Sequence, residues 1–148
     1  MDYAAREFSK ESYIKYDEFA KTKISSYLVG LGYTILNSDE DYNHDIVATK
    51  KGTKYYFELE VKVGYPFTDM NDYRFDTVSF LGRKSRLREI AEFFYIIICY
   101  ETGSFVFCPS NIIFNENYKE QLTVNGNNRR GRDEMYRVPK EKCTFIKL

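Results

Sequence analysis

The chain has no tryptophan, one histidine and three cysteines, and its 22 basic residues are matched by 22 acidic ones. Each scarcity removes a class of function. Cys99, Cys108 and Cys143 are widely spaced, odd in number and free of any CxxC or Cys/His ligand pattern. They argue against a zinc site and for reduced thiols in a cytoplasmic setting. The balanced charge removes any long-range pull on DNA or on an acidic membrane, so a site for a polyanion has to be local. The longest apolar run, Phe93 to Tyr100, is far too short to span a bilayer. The first thirty residues carry no apolar signal-like run either, so a soluble protein with no membrane partner is expected.

What is present is a well-stocked core. Hydrophobic residues make up 43% of the 148 positions and aromatic residues 18%, with 14 Tyr and 12 Phe. That composition speaks against disorder over most of the chain. The length predicts one domain over residues 1–148, able to bury about two-thirds of its unfolded surface without staples.

The stretch from Tyr55 to Val63 alternates apolar and charged residues with period two, which predicts a strand. Phe57, Leu59, Val61 and Val63 would face a core, and Glu58, Glu60 and Lys62 would line the other face, roughly 7 Å apart. Upstream, Tyr13, Tyr16, Ala20, Ile24, Tyr27, Leu28 and Leu31 share one side of a helix over about 12–31, with Gly30 and Gly32 to stop it. Short strands follow at Tyr33–Leu36 and His44–Thr49, separated by the polar turn Asn37–Asp41. The second pairs with the Tyr55 strand across Lys50-Lys51-Gly52-Thr53 as a hairpin.

Beyond Gly64 the segment 65–75 reads as a loop, then Thr77–Leu81 as a strand and Arg83–Ala91 as a short basic helix. Phe93–Tyr100 has the continuous apolar character of a strand buried on both faces, and Ser104–Cys108 follows across a Gly-containing turn. A helical turn is expected at Asn111–Phe114, a mobile basic loop at 125–132, and two edge strands at Met135–Val138 and Cys143–Leu148. A mixed sheet in an α/β domain is the resulting fold class.

Asp45 lies fifteen residues before Glu60, so the hairpin can bring the two carboxylates together, facing Lys62. Hard oxygen donors in such a cluster suit Mg²⁺ or Mn²⁺. A metal there can activate water and clamp a phosphate oxygen, while the ammonium stabilises developing charge. Glu58 shares the face of Glu60 and is a possible additional ligand. On the preceding helix neither Asp17 nor Glu18 is singled out, since Asp17 borders the apolar stripe and Glu18 lies opposite it.

Asp45 and the triplet Glu60-Val61-Lys62, in the order helix, strand, strand, strand, resemble the PD-(D/E)XK, or restriction-endonuclease-like, nuclease superfamily. His44 stands where many members have proline. The resemblance covers residues 12–63 well and 80–108 loosely. It implies a restriction-endonuclease-like core of αβββαβ order, a central mixed β-sheet flanked by helices. It also implies Asp45 and Glu60 as metal ligands, the Val61 carbonyl as a backbone ligand, Lys62 as the catalytic lysine, and products with 5′-phosphate and 3′-hydroxyl ends. A Mg²⁺-dependent DNA endonuclease is the expectation. The alternative is a module of the same fold that binds nucleic acid or protein without cleaving.

An exposed charged strand face would also produce the Glu58, Glu60, Lys62 pattern, and Asp45 at its spacing is what tips the balance toward a site. Arg83, Lys84 and Arg86 are candidate phosphate contacts or a solvated helix face, and Arg129, Arg130 and Arg132 are further candidates. A homodimer is one arrangement by which so small a nuclease would cut both strands of a duplex.

Overall fold

A computed structural model describes residues 10–36, 44–121 and 134–148. The helix α1 spans Lys10–Gly30 and is followed by β1 (Thr34–Ile35), β2 (Ile46–Lys50), β3 (Thr53–Lys62) and β4 (Thr77–Leu81). A 3-10 helix at Gly82–Glu89 then leads to β5 (Phe94–Cys99), β6 (Phe105–Pro109) and the single turn α2 (Ser110–Ile113). The remaining strands are β7 (Lys119–Gln121), β8 (Glu134–Pro139) and β9 (Thr144–Ile146), the last two joined by a 3-10 turn at Lys140–Lys142.

Local chemistry sets the first boundaries. Gly32, at φ 96°, ends α1: its N–H reaches the carbonyl of Val29 and that of Tyr33 the carbonyl of Leu28, both at 3.0 Å. These are the paired bonds of a Schellman cap, which needs a left-handed residue after the last turn. Lys51 (φ 52°) and Gly52 (φ 82°) form the two-residue turn between β2 and β3. Positive φ at both positions matches the twist of the flanking strands.

Six strands form one sheet in the order β1-β2-β3-β5-β6-β9, and three more form a second in the order β4-β8-β7. The large sheet is mixed, because β3 and β5 run parallel from Phe57↔Phe94 to Lys62↔Cys99 while its other pairs are antiparallel. Ala20, Ile24 and Leu28 of α1 cover one face, against Ile46, Ala48, Phe57, Ile96 and Ile98. The small sheet covers the other, placing Val78, Phe80, Tyr136 and Val138 against Tyr95, Ile97, Cys99 and Val106. Hence β5 is apolar throughout, being packed from both sides as its sequence predicts.

The flanks differ from expectation. Among the described residues only α1 is a long helix, and the face opposite it carries a β-sheet where a helix is expected. Between β3 and β5 the αβββαβ order is also broken: the chain there forms β4 and a 3-10 helix rather than an α-helix. Its sequence, GRKSRLRE, offers Leu87 as its one large buried side chain, so it has no apolar stripe to hold a longer helix down. Met135–Val138, expected at an edge, is instead the central strand of the small sheet, and β7 has no counterpart in the sequence reading. The turn expected at 37–41 and the basic loop at 125–132 lie outside the described residues. Among the described residues no helix is long and apolar enough to cross a membrane.

Where β4 gives way to the 3-10 helix, Gly82 abuts the start of β8. A Cβ at this position would lie 2.9 Å from the Cβ of Glu134 and 3.0 Å from its carbonyl oxygen, closer than real contacts allow. Gly82→Ala should therefore cost about 1–3 kcal/mol of stability, the usual range for overpacking, read as a lower midpoint in chemical denaturation. An unchanged midpoint would mean that the two segments slide apart freely.

Candidate active site

Strands β2 and β3 stay paired from Lys50↔Thr53 to Ile46↔Phe57, after which β3 continues to Lys62 with β5 alone as its ladder partner. Its other edge is open over Glu58–Lys62, among the described residues. Asp45 sits at this fork and caps it: the Leu59 N–H donates to Asp45 Oδ2 at 2.8 Å. Backbone alternation decides what else faces the opening. The carbonyl of Lys62 accepts from Tyr100 N–H on the β5 side, so the carbonyl of Val61 turns to the open edge.

A cleft of about 340 Å³ lies along this edge, lined by Tyr16, Asp17 and Ala20 of α1, Asp45, Leu59, Glu60 and Val61, and Leu81, Arg83 and Lys84. Asp45, Glu60 and Val61 thus share one cavity wall system. Lys62 does not line it. That side chain is half-buried, and no hydrogen bond or ion pair engages its ammonium among the described residues.

Glu58, a possible further ligand or part of an exposed charged face from the sequence, is 4% exposed and does not line the cleft. The small sheet and the 3-10 helix cover that face of β3, and the carboxylate is answered by three donors. Lys84 Nζ lies 3.1 Å from Oε1, His44 Nδ1 lies 3.0 Å from Oε2, and the Asp45 N–H donates to Oε2 at 3.1 Å. Burial pushes the Glu58 carboxyl up, but the bond from His44 and the Lys84 charge outweigh it and hold it below the ordinary value. The His44 ring is buried against Tyr56 and Phe93, and its Nε2 has no partner among the described residues. We assign the tautomer with the proton on Nδ1, which spares Nε2 a buried orphan proton.

Lys84 therefore points inward. Its ammonium also lies 3.9 Å from Asp45 Oδ2, which makes it the cation among the carboxylates. Arg83 and Arg86 remain exposed, and of these two only Arg83 lines the cleft. Asp17 faces the cleft while pairing with Lys21 at 3.3 Å, and Glu18 is exposed outside it. Arg129, Arg130 and Arg132 lie outside the described residues.

Tyr95 is a participant the sequence reading missed. Its hydroxyl donates to Glu60 Oε1 at 2.7 Å and accepts from the Leu81 N–H at 3.3 Å, joining β5, β3 and β4 beside the cleft. A phenol inside the run Phe93–Cys99 was the available signal, because a buried hydroxyl has to find a partner. Burial and the Glu60 charge raise its pKa well above the usual value of a phenol, so it stays a proton donor.

The lining carries the carboxylates of Asp17, Asp45 and Glu60 and the cations of Arg83 and Lys84. Asp45 is raised above its ordinary value by burial and by the neighbouring Glu58 carboxylate, more than the Leu59 N–H and Lys84 can offset. A cation beside the Asp45 carboxylate would favour its charged form. The donors on this wall, two carboxylates and the Val61 carbonyl, are the hard oxygens that Mg²⁺ or Mn²⁺ takes. Among the described residues no three His, Cys, Asp or Glu side chains converge on one point. An ion here would keep several waters, as Mg²⁺ commonly does.

No family model matches the chain, and no curated protein and no solved structure matches it at a significant level.

Two predictions follow from the charge arrangement. Glu58→Gln and Lys84→Met should each destabilise the protein by about 3 kcal/mol, because each leaves a largely buried partner uncompensated. The double variant should lose clearly less than the sum, and strict additivity in a denaturation cycle would contradict the pairing. Asp45→Asn should have the opposite sign. Since the folded state raises the Asp45 pKa, its contribution to stability falls as pH rises from the ordinary value of 3.8, and stays low at neutrality. The metal-free variant should melt above wild type at pH 7, and the gap should close as pH falls toward that value. Glu58 acts oppositely: its lowered pKa gives stability that is present above 4.5 and lost on acidification in both proteins.

Proposed function

We propose that the chain is a Mg²⁺- or Mn²⁺-dependent DNA endonuclease of the restriction-endonuclease-like class. The supporting observation is the meeting of Asp45, Glu60 and the Val61 backbone in one cleft at the open edge of β3, with Lys84 and Arg83 in the same lining. Asp45 and Glu60 would hold the ion, together with the Val61 carbonyl. Such an ion would lower the pKa of a bound water, so that it loses a proton and attacks phosphorus as hydroxide, and would neutralise charge on the phosphate.

The chain's own groups do the rest. Tyr95 fixes the Glu60 carboxylate by its 2.7 Å bond, and the Leu59 N–H fixes that of Asp45. Lys84 provides the ammonium that stabilises charge on the phosphoryl oxygens, a role expected of Lys62 from the sequence. Arg83 is exposed at the rim and suited to a flanking phosphate. One observation favours the second reading, a non-cleaving nucleic-acid-binding module of the same fold: Lys84 is already committed to Glu58, so part of the cleft's demand for a cation is met within the protein.

Incubation with supercoiled plasmid, linear duplex, single-stranded and branched DNA, and RNA, with and without Mg²⁺ or Mn²⁺, tests the proposal. Metal-dependent nicking should fall by about 10²-fold or more in Asp45→Asn and Glu60→Gln. Mn²⁺ should raise the wild-type melting temperature by mass action, and less so in both variants. Comparing Lys62→Ala with Lys84→Ala, under conditions where far-UV circular dichroism shows both variants fully folded and Mn²⁺ still raises their melting temperatures, decides which ammonium serves. Retention of DNA without metal-dependent cleavage of any substrate would leave the binding module standing.

A further inference from the structure

We propose that Cys108 and Cys143 are a redox pair, which closes to a cross-strand disulfide by exchange with a low-molecular-weight disulfide. The inference is independent of the nuclease reading. It starts from register: β6 and β9 pair antiparallel at Phe105↔Ile146, Val106↔Phe145 and Phe107↔Thr144, and the next step brings Cys108 opposite Cys143. Both side chains lie on the same face of the sheet, in the core shared with Val106 and Phe145.

The pairing geometry is of the closer kind. The Cys143 N–H donates to the carbonyl of Lys140 within its own turn, so it makes no ladder bond to β6. Residues opposed without ladder bonds approach to about 4.5 Å between Cα atoms. A disulfide requires about 4.4–6.8 Å. Cys108 Sγ already reaches across to the carbonyl of Lys142 at 3.7 Å, one residue short of Cys143, and Cys143 Sγ reaches that of Pro139 at 3.8 Å.

The two thiols are chemically unequal. Hydrogen bonding from Cys143 holds the Cys108 thiol below its ordinary value despite burial, and the same contact pushes Cys143 up. The attacking thiolate is placed on Cys108, the thiol that the shared contact lowers. Access comes from the edge, since β9 is a three-residue outer strand whose local opening uncovers both sulfurs. Cys99, in the middle of the large sheet and directed to Glu101, is not part of the pair.

The exchange balances. The Cys108 thiolate attacks one sulfur of R–S–S–R and expels RS⁻, leaving a mixed disulfide. Cys143 gives its proton to that thiolate, attacks the Cys108 sulfur and expels the second RS⁻. The protein dithiol loses two electrons and the small disulfide gains them. The bridge would fasten the turn that carries the chain from the small sheet into the large one.

Native protein equilibrated with glutathione disulfide and glutathione at a series of ratios, then acid-quenched, denatured and alkylated, tests the pair. Oxidising ratios should leave one alkylatable cysteine, Cys99, and a peptide map should show the Cys108–Cys143 link. The melting temperature should rise by about 5–10 °C and return on reduction. Cys99→Ser should form the same link, and Cys143→Ser should lose it. Three alkylatable cysteines at every ratio, a mixed disulfide that does not resolve, or a bridge involving Cys99 would overturn the proposal.

Discussion

Burying the Glu58 carboxylate beneath the second sheet costs several kcal/mol unless its charge is matched, and each group that matches it also fixes part of the cleft. Lys84 brings in the 3-10 helix after β4, His44 anchors the approach to β2, and the Asp45 N–H sets that residue at the fork. The Asp45 carboxylate is thereby turned to the Leu59 N–H, on the edge of β3 that faces the cleft. Two carboxylates on β3 thus divide their work. Glu58 organises the protein from inside, and Glu60, held by Tyr95, faces the cavity.

The order of α1, β1, β2, β3, β5 and β6 was legible in the sequence because each has a strong local signal. α1 has a helical stripe and a glycine cap, β2 and β3 a positive-φ turn, and β5 an apolar run. The covering of the charged face of β3 was not legible. Period two says which residues share a face, and says nothing about whether a distant segment packs there. The small sheet assembles from β4, β7 and β8, whose pairings span tens of residues, with Phe80↔Tyr136 as an example. Nothing local to Glu58 announces that contact.

The candidate site was legible in part. Asp45 and Glu60 were singled out by spacing and line one cleft, but the register opposes Asp45 more nearly to Glu58. The lysine shows the limit most clearly. Lys62 stands at the motif position on the strand, yet the ammonium within reach of the carboxylates comes from residue 84, on a segment whose basic run reads equally as a surface. A sequence motif records where side chains start, and the interaction depends on where long ones end.

An open strand edge is ordinarily a hazard, since its unpaired N–H and C=O groups invite another strand. Here the edge over Glu58–Lys62 is protected by polar and charged side chains. Asp45 takes the Leu59 N–H, Lys84 leans toward the Leu59 carbonyl at 3.5 Å, and charged Arg83 stands at the rim. Pairing with a foreign strand would require breaking the Asp45 bond and burying several charges. On the proposed function a small hydrated cation would need neither, since the Val61 carbonyl and the carboxylates would serve it in place, and a phosphate would be held through that cation. The arrangement that keeps a foreign strand off this edge also holds the Asp45 carboxylate in a partly buried setting beside Glu58, and burial first and that neighbouring charge second raise it above its ordinary value.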